Sequence, residues 1–410
     1  MNRREFSALA AATAAATLVP ELGTARQATQ PPASTQSTTS QGTAVGEAAR
    51  RLYRRALVLD ANCAPPLPDR LPVPQTDLDL VRNSGLSVIK LSLGGINGDF
   101  AHTVKAIGQV EQLIEVHRDY FMGVRVPGDM ARAKKEGKLG IILSFESVEM
   151  LGGQLSSLEV FRDLGVRVMQ LSYNRKSPFA AGVMEPTAGG LTPLGRDAVR
   201  EMNRLGIAVD LSHANAATTA DALSLSGKPA VMTHAGCAAV HAHPRCKSDE
   251  QLRALAAKGG VVGIFDLPYL TASPRQPTVD DYMAHLEHAL QIAGEDHVGV
   301  GSDVGITPFD TSAAGMAEFA KDVEERRRAG LSAPEEDRPT YVVGMNVPNR
   351  IEIIVDRLLK SGYSAAVTEK VVGMNFARVF TEIWSVQPRL APGELRHTSL
   401  IASRSGICSR

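Results

Sequence analysis

Eight short apolar runs recur along the chain between residues 56 and 302. They are Ala56–Asp60, Leu86–Leu93, Gly140–Phe145, Val166–Leu171, Ile207–Leu211, Ala230–Thr233, Val261–Phe265 and Val298–Ser302. Amphipathic helical patterns lie among them, at His102–Phe121, Leu155–Leu164, Gly195–Leu205, Ala216–Ser224, Asp249–Lys258 and Thr278–Ala293. The runs are continuously apolar rather than alternating, so both faces of each strand are expected to be covered. Strand alternating with helix implies parallel pairing through crossover helices. Eight such units in about 250 residues predict an α/β fold of the (β/α)8 TIM-barrel type. An open doubly wound sheet is the rival, and it lacks a Gly-x-Gly-x-x-Gly after its first strand.

The ends of the chain read differently. Asn2-Arg3-Arg4-Glu5-Phe6 precedes a weakly apolar Ala-rich run to Val19, with small residues near Ala25. This predicts a twin-arginine signal peptide over residues 1–25, and hence a periplasmic or secreted bacterial protein. Residues 26–50 are expected to be a disordered linker, 51–385 a single barrel domain, and 386–410 an irregular tail. Two long loops, Asn174–Thr192 and Gly305–Pro348, are expected to line or cover a site, the second carrying an exposed helix near Lys321–Arg328. Helices over Pro348–Lys360, Ser364–Val372 and Asn375–Trp384 close the fold. The 44 Lys and Arg balance 44 Asp and Glu, which argues against nucleic-acid or polybasic membrane binding. No internal apolar run is long enough for a membrane span. Cys237 and Cys246 could pair in an oxidising compartment or remain loop thiols; spacing leaves both open.

Polar residues collect where the apolar runs end. Asp60 and Asn62 end the first, Glu146 follows the third, Tyr173 and Asn174 the fourth, and Asp210 and His213 end the fifth. His234 ends the sixth, Asp266 follows the seventh and Asp303 ends the eighth. In a barrel these positions converge on one rim. Singly, a histidine there is an ordinary hydrogen-bonded residue and an aspartate an ordinary helix cap. Together, Glu146, His213 and His234 supply the three-ligand set of a hydrolytic zinc site that keeps a position for water. Asp303 on the same rim can carry a proton. Histidines 102, 117, 285 and 288 fall on predicted helices and read as structural, whereas His241 and His243 lie near the site in sequence.

Several blocks resemble the membrane dipeptidase (renal dipeptidase) family of zinc metallopeptidases, in the amidohydrolase superfamily. They are Gly190-Leu191-Thr192-Pro193-Leu194-Gly195-Arg196, Glu201-Met202-Asn203-Arg204-Leu205-Gly206-Ile207 with Asp210-Leu211-Ser212-His213, His243-Pro244-Arg245, Asp249-Glu250-Gln251, Gly259-Gly260-Val261-Val262-Gly263, His297-Val298-Gly299-Val300-Gly301-Ser302-Asp303 and Gly373-Met374-Asn375-Phe376-Ala377-Arg378-Val379. The resemblance runs from about residue 56 to 384. It implies a barrel of the metal-dependent hydrolase type, a bridging carboxylate at Glu146, second-metal histidines at His213 and His234, a proton-transferring Asp303 and a substrate-binding Arg245. A homodimer is implied by analogy.

Two positions depart from the family pattern. Its first strand ends in His-x-Asp, where this chain has Asn62 and Ala64; Cys63 faces the other way along an alternating strand. A family histidine after the fourth strand, which touches the substrate carbonyl, is Tyr173 here. A phenol still donates a hydrogen bond but is not a cation near neutral pH. The chain is therefore expected to hold one zinc ion and to cleave a dipeptide or similar small amide by metal-activated water. The alternatives are another amide, ester or lactone on the same scaffold, or an inactive metal- or ligand-binding homologue.

Overall fold

The computed structural model describes residues 45–67, 70–94 and 99–385. The segment expected to be a signal peptide, most of the expected linker, the tail from residue 386 and Cys408 lie outside the described residues. Eight strands pair in parallel as β1 (Leu59–Asp60), β2 (Val88–Ser92), β3 (Leu139–Phe145), β4 (Val166–Gln170), β5 (Ala208–Asp210), β6 (Val231–Cys237), β7 (Val261–Ile264) and β8 (Val298–Val300). The order runs β7-β8-β1-β2-β3-β4-β5-β6, and β6 pairs with β7 to close the ring. The fold is the expected (β/α)8 barrel. Every residue of these strands is buried, as continuously apolar runs require.

Closure depends on small residues where β6, β7 and β8 meet. A Cβ at Gly263 would lie 2.2 Å from Thr233 O, and one at Gly301 only 1.7 Å from it. Both clashes are with backbone, so no rotamer relieves them. Phe376, Phe380 and Trp384 of the helix Asn375–Trp384 plug the opposite end of the barrel beside Leu59, Val168 and Val261.

Helices fall close to their expected places, with three additions: Glu47–Arg55, Gln75–Ser84 and Pro127–Glu136. Each buries only three residues, so its apolar stripe is faint in a polar sequence. The first begins at Glu47, inside the stretch expected to be linker to residue 50. The charged segment after β8 is a longer helix than expected, Ala313–Arg328. Among the described residues no helix is long and apolar enough to cross a membrane.

Candidate functional site

Parallel strands deliver the residues at their C-terminal ends to one rim. Glu146, Tyr173 and His213 follow β3, β4 and β5, His234 lies within β6, and Asp303 follows β8. Asn62 follows β1 and is buried. The structure brings these six residues together.

The two histidines are locked by their outer nitrogens. His213 Nδ1 meets Asn174 Oδ1 at 2.8 Å, and the Asn174 amide donates its other end to Leu331 O. His213 Nδ1 therefore carries the proton. His234 Nδ1 lies 3.0 Å from Thr233 Oγ1, whose own proton goes to Asp210 Oδ2. His234 Nδ1 is therefore also a donor. Both Nε2 lone pairs are left facing each other, 3.1 Å apart. Burial, reinforced by Arg245, pushes both imidazoles well below their ordinary pKa, so a shared proton is disfavoured. Two neutral lone pairs at that distance call for a cation.

Glu146 Oε1 and Asp303 Oδ2 each lie 3.9 Å from His234 Nε2. Ligand atoms of Glu146, His234 and Asp303 all fall within 4.8 Å of one another. The tight carboxylate–imidazole group thus includes Asp303, expected as the proton carrier, and His213 joins through His234. Outer hydrogen bonds that fix the imidazole tautomers are the usual support of metal-ligating histidines. The donor set fits a divalent cation.

Asn62 Nδ2 donates to Glu146 Oε1 at 3.1 Å and to Asp303 Oδ1 at 2.6 Å. Its amide thus stands between two carboxylates where the family pattern has a cation ligand. Ala64 pairs its backbone with Gly305 and offers no donor side chain. Cys63 turns away, as expected: Arg350 Nη2 lies 3.4 Å from its Sγ, and burial pushes the thiol up to about 12. Asp303 adopts φ +61°, a left-handed conformation that aspartate tolerates better than most residues, and its N–H donates to Asn62 O at 2.7 Å. Burial and then Glu146 push the Asp303 carboxyl up to about 7. A cation beside it would draw that value down.

Arg245 is buried, with Nη2 3.4 Å from His234 O and the guanidinium 5.8 Å from the Phe265 ring centroid. Its Nε has no hydrogen-bond partner among the described residues. His243 Nδ1 accepts the Arg245 N–H and its Nε2 lies 2.9 Å from Pro334 O, which ties this loop to the segment after β8. Tyr173 stacks on His213 with ring centroids 4.1 Å apart, and burial pushes its hydroxyl up to about 12. Arg326 Nη2 donates to that hydroxyl at 3.2 Å. The sequence flagged the segment around Arg326 only as an exposed charged helix; its inward arginine depends on a tertiary contact that no local pattern reveals.

The remaining strand-end acids hold the framework. Asp60 accepts from Ser302 and Arg350, and Asp210 accepts from Ser212 and Thr233. His241 pairs with Glu335 at 3.1 Å rather than with the ligand group. Cys237 and Cys246 are buried free thiols.

A family model described as membrane dipeptidase (Peptidase family M19) matches residues 47–321, more than half of the chain. Dipeptidase tcpJ of Claviceps purpurea is 31% identical over 287 residues, which is 69% of this chain. This chain spans about 60% of the length of that relative. An amidohydrolase of Pseudomonas aeruginosa is 29% identical with a TM-score of 0.72, covering 82% of this chain and 99% of its own. A metallopeptidase of Rhodobacter sphaeroides, solved with a phosphinate mimic of the dipeptide L-Ala-D-Ala, shares the fold at 21% identity. Its TM-score is 0.66, over 80% of this chain and 99% of its own.

Proposed function

The chain belongs to the membrane dipeptidase family, Peptidase family M19, and on that premise we propose that it hydrolyses a dipeptide, or an amide of similar size, with one zinc ion. The observation that carries this reading is the pair of bare Nε2 atoms of His213 and His234, 3.1 Å apart beside Glu146 and Asp303. Two imidazoles and a carboxylate are the donor types that zinc prefers. His213, His234 and Glu146 would hold the ion. When bound, it would lower the pKa of a water and polarise the scissile carbonyl.

The chain's own residues do the rest. Asp303 accepts a proton at a carboxylate oxygen and returns it to the leaving amine. Asn62 keeps the Asp303 and Glu146 carboxylates in register by donating one hydrogen to each. Arg245, with a buried unpartnered Nε, holds the substrate carboxylate or the oxyanion. Tyr173 donates a hydrogen bond to the carbonyl oxygen. A second reading, a different amide, ester or lactone, draws support from the replacement of the family histidine by Tyr173 and of the first-metal pair by Asn62 and Ala64.

We further propose export through the twin-arginine pathway to a periplasmic or extracellular location, a single barrel domain, and a homodimer without nucleic-acid partners. Assay of the zinc-loaded protein against dipeptides, acyl-amino acids and lactones tests the activity. Dipeptide turnover supports the first reading, ester or lactone turnover alone the second, and no turnover contradicts both.

A further inference from the structure

The helix Ala313–Arg328 buries none of its residues fully, yet Arg326 turns inward, with only 18% of its side chain exposed. Glu336 grips this arginine: Nε and Nη2 donate to its carboxylate at 3.0–3.1 Å. Glu336 is itself fixed by the Tyr269 hydroxyl at 2.9 Å. The guanidinium is therefore oriented and ion-paired through its Nε and Nη2.

The same Nη2 also meets Tyr173. Arg326 Nη2 donates to the phenol oxygen at 3.2 Å. A guanidinium has donors only, so Tyr173 accepts there and its own proton is not used. Among the described residues the hydroxyl makes no other hydrogen bond. Stacking of the ring on His213 fixes it beside the candidate ligands.

Resting on the dipeptidase reading, we propose that Arg326 is a positioning residue that directs the Tyr173 hydroxyl proton toward the carbonyl oxygen of the substrate. Tyr173 and Arg326 together then replace the histidine that the family carries after β4. Tyr173 supplies the donor, and Arg326, its charge answered by Glu336, holds that donor in place. Tyr173 donates a hydrogen bond and keeps its proton. The effect is on the polarised carbonyl, where developing negative charge gains most from a fixed donor.

The test uses the full chain loaded with zinc, as wild type, Arg326→Met, Tyr173→Phe and the double variant. It reads kcat and KM for a dipeptide and the Kd of a phosphinate dipeptide mimic, whose tetrahedral oxygens resemble the attacked carbonyl. Each single change should lower kcat and weaken the phosphinate, Tyr173→Phe by about 100–1,000-fold, the scale of one lost oxyanion donor, with KM moving little. The double variant should lose no more than Tyr173→Phe alone, and Arg326→Lys should recover part of the loss. An Arg326→Met enzyme with wild-type kcat, or losses that multiply in the double variant, would overturn the pairing. If Arg326→Met does not fold, Glu336→Gln, which releases the grip on Arg326, should lower kcat with Tyr173 intact; unchanged kcat overturns the proposal. A wild type that neither cleaves dipeptides nor binds the phosphinate overturns the underlying dipeptidase reading, whereas an active wild type with indifferent variants overturns only the role of Arg326.

Discussion

Asn62 donates to Asp303 through a 2.6 Å hydrogen bond that ties the end of the first barrel strand to the end of the last. The same nitrogen gives its other hydrogen to Glu146. A neutral amide thus separates two carboxylates that would otherwise repel. It supplies directed donors, but no charge and no coordination bond. This is the physical content of the departure at position 62, and it favours one ion at the histidine side of the site over two.

Removing that amide should be costly. In chelated protein, Asn62→Ala leaves Glu146 and Asp303 facing each other with two charge-assisted hydrogen bonds gone. Buried hydrogen bonds to charged groups contribute about 1.5–3 kcal/mol each, so chemical denaturation should show a loss of at least about 2 kcal/mol. A neutral outcome would mean that the carboxylates do not depend on Asn62.

Gly301 sets the approach to Asp303. Its added Cβ would sit 1.7 Å from Thr233 O, so Gly301→Ala must push β8 from β6 and displace Asp303 with it. We expect a loss of about 3 kcal/mol, the upper end of the usual range for overpacking, and weaker metal retention. Thermal denaturation and metal content measure the two effects separately.

Stability should also carry the signature of Asp266. Burial pushes its carboxyl up to about 7, with Asp60 and Asp303 adding and Arg350 opposing. The unfolded value is about 3.9. The native state thus binds more protons between about pH 4 and pH 7, and its stability falls as pH rises through that window. Three pKa units correspond to about 4 kcal/mol at most. Asp266→Asn does not titrate, so it should gain on the wild type as pH rises from about 4 to about 7. A wild-type-minus-variant difference that does not change with pH would contradict this.

Export rests on Arg3 and Arg4. Replacing both by Lys should strand precursor in the cytoplasm of a host with the twin-arginine pathway. Immunoblots of periplasmic and cytoplasmic fractions read the result, and unchanged export would remove the assignment.

The barrel was legible because all eight strands are buried on both faces, so each reads as a mainly apolar run broken only by single polar residues such as Lys90 and Arg167. The helices Gln75–Ser84 and Pro127–Glu136 were not, because each buries three residues and the rest of its sequence is polar. In the site, Glu146, His213, His234 and Asp303 could be found because barrel topology alone brings strand ends to one rim. Arg326 could not, because it arrives from a helix with no fully buried residue and reaches the site only through its contacts with Glu336 and Tyr173. Asn62 was readable as a poor ligand. Its role as a donor to two carboxylates needed the distances.

The central claim is a single cation held by Glu146, His213 and His234, with Asn62 in place of a second. Elemental analysis of purified, zinc-equilibrated protein tests it most directly. The account predicts about one zinc per chain, falling to none in His213→Ala and rising toward two in Asn62→His with Ala64→Asp. Two tightly held ions per wild-type chain, or none, would contradict it.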